Sequence, residues 1–302
     1  MFVASCEFSS VAIADMAATR QFYRWKSRGN SGLDRMASGL VKLLLKLHQL
    51  SELVLLIDYE QDLSHIFKCF SELHNLRKLR VEVRKSWYQR RIQNRANLVN
   101  DVGKVLGANL KLTHLELVFQ HAFAGVSFST IFGHVPASSP LKLEHLGICY
   151  IKSSDNDIRA ITPHIRSLTS IDLGDLPDSS LIMLLHSERI FPPMIQTASI
   201  TQNMIAYFGD HPGLVGLSIQ KTSMDEERIL DIVARHSGSL TYFSTDILNF
   251  HPRSRGVMLQ CTKLEQLVVS SLDGCCNELE RKVSEQFTDM ARGRTEGMMP
   301  VA

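Results

Sequence analysis

An apolar-x-x-apolar-x-apolar triplet recurs along the chain, at Leu50/Leu53/Leu55, Leu76/Leu79/Val81, Leu112/Leu115/Leu117, Leu143/Leu146/Ile148, Leu168/Ile171/Leu173, Leu214/Leu217/Ile219 and Leu264/Leu267/Val269. Two weaker copies, Ile195/Ala198/Ile200 and Leu240/Phe243/Thr245, complete a series of nine whose first members lie 26, 36, 31, 25, 27, 19, 26 and 24 residues apart. Each triplet reads as a short strand buried on one side. The segments between them switch to a helical period: Leu63, Ile66, Phe67, Phe70 and Leu73 follow the cap candidate Asp62, and Leu98, Val102, Val105 and Leu106 repeat the stripe. So do Ile158, Ile161 and Ile165 behind Ser154 and Asp155, and Ile229, Ile232 and Val233 behind the acidic turn Asp225, Glu226 and Glu227. Strands alternating with helices at a fixed period predict an α/β fold: a parallel sheet with right-handed crossovers, stacked unit on unit into a horseshoe.

In this pattern LHNLRKLRVEV, LKLTHLELVF, LKLEHLGICY and CTKLEQLVVSS resemble the repeats of intracellular leucine-rich-repeat proteins, over roughly residues 36 to 285. The mean spacing of about 27 falls within the roughly 20 to 29 residues of such units. The resemblance implies a solenoid with a concave parallel sheet and convex helices. The irregular repeat lengths are most similar to the F-box-associated subgroup, in which the array selects substrates for a ubiquitin ligase. Residues 1–35 show no Leu-Pro-led F-box opening, so either the chain is a fragment or the adaptor-binding half is absent.

The ends frame the array. A helix over residues 9–26 and a loop from Ser27 to Leu33 form an N-terminal segment, residues 1–35, that is a candidate cap. The array takes residues 36–290 in about nine irregular repeats, opening on the helix Met36–Leu47 and closing on a capping helix at Asn277–Met290. Residues 291–302, without apolar periodicity, are expected to be a disordered tail.

Composition narrows the classes. The 302 residues include 39 leucines, and 44% hydrophobic with 21% charged residues is the balance of a folded chain, not a disordered one. A net charge of +2 supplies no global field for DNA or an anionic membrane. Six cysteines without a Cys-x-x-Cys pair, and no Asn-x-Ser/Thr acceptor, point to a reducing compartment, cytoplasmic or nuclear. The uncharged run from Leu117 to Leu141 carries Gln120, His121, His134 and Pro136, which argues against a membrane span.

Candidate chemistry follows from side-chain alternation along a strand, which sends the residues between the apolar positions outward. The position before the second apolar residue holds Glu52, Lys78, His114, His145, Ser170, Thr197, Gly216, Tyr242 and Gln266; the next outward position holds Val54, Arg80, Glu116, Gly147, Asp172, Ser199, Ser218, Ser244 and Val268. Lys78, Arg80, His114, Glu116, His145 and Asp172 concentrate charge on the second to fifth repeats, and Tyr242 is an aromatic anchor further along. These seven are the expected partner-binding residues. His114 and His145, at equivalent positions of successive strands, fall short of the three or four ligands a zinc site needs. No metal or cofactor is implied. Asp172 with a histidine and Ser170 suggests a triad, but without a nucleophile elbow or oxyanion-hole motif no catalytic residue is assigned. Residues 77–95 carry eight Lys/Arg against Glu82, with Trp87 and Tyr88 among them; Arg84, Lys85, Arg90 and Arg91 form its basic patch.

The expected function is therefore a non-enzymatic protein-binding scaffold, a role in ubiquitin-ligase substrate recognition being what the resemblance implies. Nucleic-acid or nuclear-transport binding through residues 77–95 and regulation of a GTPase are the alternatives.

Overall fold

The computed structural model describes residues 21–25, 50–57, 70–83, 95–124, 127–152, 155–174, 179–220, 226–247 and 252–271. Ten strands form one all-parallel sheet in sequence order: β1 (Gln21–Trp25), β2 (Glu52–Ile57), β3 (Lys78–Val83), β4 (His114–Ala124), β5 (His145–Lys152), β6 (Ser170–Asp172), β7 (Met194–Thr197), β8 (Gly216–Ile219), β9 (Tyr242–Ile247) and β10 (Gln266–Ser271). The crossovers carry helices: α1 (Arg95–Ala108), α2 (Phe128–Phe132), α3 (Asp155–Ile158), α4 (Thr162–Ile165), α5 (Ser179–Ser187), α6 (Gln202–Asp210), α7 (Glu226–Arg235) and α8 (Pro252–Gln260). A sheet in which each strand pairs only with its sequence neighbours is solenoid-like. Right-handed crossovers between neighbours in such a sheet leave every helix on the same side.

One side of the sheet is dry. The second apolar position of the triplets is a ladder in register across the strands, Leu53, Leu79, Leu115, Leu146, Ile171, Ile195, Leu217 and Phe243, and all eight are buried. The helix stripes pack onto it: Val99, Val102, Val105 and Leu106 from α1, Leu181, Leu184 and Leu185 from α5, and Ile229, Leu230, Ile232 and Val233 from α7 belong to the same core. Acidic Glu226 and Glu227 in the first turn of α7 and Arg235 in its last complement the helix dipole.

Register is pinned at the strand entrances. Ser51 O accepts from Arg77 N and Lys78 N, Arg77 O from Thr113 N and His114 N, and Thr113 O from Glu144 N and His145 N, all at 2.7–3.0 Å. The same two-donor bond recurs at Glu144, Pro193, Val215 and Thr241. At Thr169 it is reduced to one donor, Met194 N at 3.1 Å, because the residue that would supply the other is Pro193, which has no N–H. Neighbouring units are also joined by side chains. Buried Asn109 accepts from Leu76 N and donates to Val105 O, both at 2.9 Å. Asp157 accepts from Ser127 Oγ, Phe128 N and Ser129 N at 2.6–2.8 Å, holding the start of α2.

Three expectations need correction. Residues 21–25 are strand β1, paired parallel with β2, and not the end of a helix over residues 9–26; three aromatics in QFYRW favour a strand. The triplet Ile195/Ala198/Ile200 is out of register by three. Ile195 pairs with Ile171 and Leu217 as the second apolar residue, so the true series is Pro192, Ile195, Thr197, with a proline and a threonine where apolar residues were sought. The Thr197 hydroxyl is accommodated indoors by donating to Ser199 O at 2.6 Å. The helix expected over Ile158 to Ile165 is three short pieces, α3, a 3-10 turn Arg159–Ile161 and α4, with Pro163 at the start of the last. The helices expected after Asp62, at Met36–Leu47 and at Asn277–Met290, the loop Ser27–Leu33 and the tail 291–302 lie, except for Phe70 and Leu73, outside the described residues.

Candidate functional site

The face of the sheet turned away from the core carries two rows in backbone register. One runs Glu52, Lys78, His114, His145, Ser170, Met194, Gly216, Tyr242, Gln266, and the other Val54, Arg80, Glu116, Gly147, Asp172, Gln196, Ser218, Ser244, Val268. Met194 and Gln196 take the places expected for Thr197 and Ser199. Thr197 is wholly buried. Met194 matters to the shape of the face: its thioether lies over Gly216, in the space a Cβ there would occupy.

Arg80, Glu82, Glu116, His145 and Ser170, from β3 to β6, form one network. Arg80 donates to Glu116 at 2.6 Å and to Glu82, the next outward residue of its own strand, at 3.1 Å. Glu116 Oε1 lies 3.6 Å from His145 Nε2, and His145 Nδ1 shares a hydrogen bond with Ser170 Oγ at 3.0 Å. The His114 ring stacks on His145 with centroids 5.8 Å apart and planes at 27°, and its Nδ1 is bonded to Thr113 Oγ1 at 2.8 Å. Gly147 is where Glu116 folds over, since a Cβ there would come within 2.9 Å of its Cγ. Asp172, on the same face, accepts from Gly174 N at 2.9 Å instead of joining these bonds.

Electrostatics follow from these contacts. His145 and Arg80 hold the Glu116 carboxyl below the usual carboxylate range against the opposing effect of burial. At 3.6 Å the histidine is beyond hydrogen-bond distance, so the 2.6 Å guanidinium bond is the firmer anchor. Burial works against the Arg80 charge, but Glu116 and Glu82 outweigh it and its pKa is raised. Burial, with Lys78 and His145 nearby, keeps the His114 pKa below its ordinary value. Burial pushes the Asp172 carboxyl up, only partly offset by the Gly174 N–H. The patch is thus an ion-pair cluster in which Glu82 and Glu116 share the single Arg80 guanidinium, with Lys78 as a cation beside it.

The expected residues Lys78, Arg80, His114, Glu116, His145 and Asp172 therefore lie together on one face. Tyr242 lies on that face too, but three strands beyond β6, about 14 Å along the sheet at normal strand spacing. In the sequence Glu82 reads as one acid within a basic run, and only folding makes it a buried partner of Arg80. Ser170 meets His145, but the acid beyond that ring is Glu116; Asp172 is turned to Gly174. Among the described residues no group of three or more His, Cys, Asp or Glu is placed to hold a metal ion. Arg84, Lys85, Arg90 and Arg91 lie outside the described residues.

An open parallel α/β array with one apolar face covered by helices and one charge-patterned face that no described helix covers is the class of protein these observations define. Comparison with protein-family models finds no match, and comparison with curated proteins finds none either. No helix among the described residues is long and apolar enough to cross a membrane.

Proposed function

We propose that this chain is a leucine-rich-repeat scaffold that binds another protein through the uncovered face of its sheet, without catalysing a reaction. The observation that carries the proposal is the Arg80, Glu116, His145 and Ser170 network, in which side chains of four adjacent strands are held in fixed positions by one another. Residues already paired lose little side-chain freedom on binding, so the face is preorganised for a partner that complements its charge pattern. Leucine-rich-repeat identity is supported by nine successive strands, β2 to β10, whose mean spacing of about 27 residues lies within that family's range of roughly 20 to 29. A role in selecting substrates for a ubiquitin ligase is the concrete version the sequence resemblance implies, in the cytoplasm or nucleus.

The test is recovery of a partner with the full chain, followed by a binding assay with purified partner and a Lys78→Glu/His114→Ala/Tyr242→Ala variant whose circular dichroism matches the parent. These changes leave the Arg80 ion pairs in place. Affinity should fall at least about tenfold, roughly 1.4 kcal/mol. Unchanged affinity in the folded variant would refute the face as the binding surface. Recovery of RNA in place of protein would favour the basic segment, and recovery of a GTPase would identify the partner class.

A further inference from the structure

A cavity opens on the helical side of the sheet. Helices α6 and α7 leave between them a cavity of about 280 Å³, lined by Gln202, Ile205, Phe208 and Gly209 from the first and by Arg228, Asp231, Ile232 and Arg235 from the second. Its apolar floor is Phe208 and Ile232, both buried, with Ile205 half-buried beside them. Its charged rim is unbalanced. Asp231, the single carboxylate of the lining, is engaged by Arg253 at 2.8 Å, and Arg253 also reaches Glu227 at 2.9 Å. Nearby Asp210 is engaged by His186 at 2.7 Å. Among the described residues neither Arg228 nor Arg235 pairs with a carboxylate. Arg228 and Arg235 are two helical turns apart on one face of α7. Gly209 makes the room for Arg235, since a Cβ there would meet Nη1 at 2.7 Å.

Two guanidinium groups over an apolar floor have a specific complement. We infer that this cavity binds a small amphiphilic anion, a phosphoryl or carboxylate group attached to an apolar part no larger than an aromatic ring. Guanidinium forks suit both oxyanions, and the cavity sits at the lower end of ligand-pocket sizes, which limits the apolar part. The site is separate from the uncovered sheet face, so neither depends on the other.

The experiment is saturation-transfer NMR and calorimetry on the full chain with phenyl phosphate and phenylacetate as probes and benzyl alcohol as the neutral analogue. Saturable binding of either anion and none of the alcohol is expected, and the tighter anion identifies the oxyanion. Arg228→Gln/Arg235→Gln should weaken binding at least about tenfold. Lys111→Gln/Lys142→Gln removes the same charge from exposed sites in the earlier repeats and should leave binding unchanged. Gly209→Ala, which displaces Arg235, should weaken it as well. Absence of saturable binding at millimolar probe, or equal weakening by the two double variants, would overturn the inference.

Discussion

Leu115 and His114 are adjacent on β4 and face opposite sides of the sheet, so the pair tests the architecture directly. Leu115 has 0% exposure and sits in register between Leu79 and Leu146, themselves 2% and 0% exposed. Leu115→Ala removes three carbons; at about 0.8 kcal/mol for each, the transfer loss is about 2.4 kcal/mol. Strands on both sides are tied by backbone bonds and cannot close the gap, so a cavity penalty adds to this and the expected total is about 3–5 kcal/mol. His114→Ala loses a bond to Thr113 and a stacked ring on a half-buried surface, and should cost about 1 kcal/mol or less. Urea denaturation followed by far-ultraviolet circular dichroism measures both. Leu115→Asp, which places an unpaired carboxylate in the same cavity, should abolish the cooperative transition altogether. A Leu115→Ala cost below about 1 kcal/mol, or no larger than that of His114→Ala, would refute the assignment of the two faces.

Gly174 closes β6 at φ +59°, and a side chain there would run into the side chain and Cα of Cys149; Gly174→Ala should destabilise by about 2–3 kcal/mol, read as a lowered urea midpoint. His164, His211 and His236 are buried, and burial lowers the pKa of each. The folded chain then binds fewer protons than the unfolded chain, so stability is complete above the unfolded histidine pKa near 6.5 and falls as pH drops below it. His164 accepts from Leu141 N through Nδ1, a bond that protonation removes, so the urea midpoint should decline between about pH 7 and 5 and decline less in His164→Gln.

The paired state of the sheet face bears on how such a surface recognises anything. A partner that engaged Glu116 or Arg80 would compete with bonds of 2.6 and 3.1 Å already made, so the ion pairs serve as positioning elements. Lys78, His114 and Tyr242 are the side chains best able to add contacts, which is why the variant in the binding assay is built on them.

Hydrophobic spacing by itself determined most of the fold. An inward residue every second position, repeated at a near-constant interval, can be buried only if successive units stack, and that requirement located strands β2 to β6 and β8 to β10 and the helices α1 and α7. It also placed Lys78, His114, His145 and Ser170 in one row, because parallel pairing aligns equivalent positions. Where apolarity was replaced the reading slipped: Pro192 and Thr197 occupy apolar positions of their unit, and the register of β7 was recoverable only from its backbone bonds to β6 and β8. The aromatic run at residues 21–25 shows the same limit, since five residues fit either period until pairing with β2 decides between them. Pairing across elements lay beyond the sequence altogether. Arg80 and Glu116 are 36 residues apart and bond at 2.6 Å, while Arg228 and Arg235 line a cavity with Gly209 of another helix, whose missing side chain leaves room for Arg235. Such contacts depend on the lateral distance between units, which is set by the packing of whole helices against the sheet and not by the pattern within any one of them.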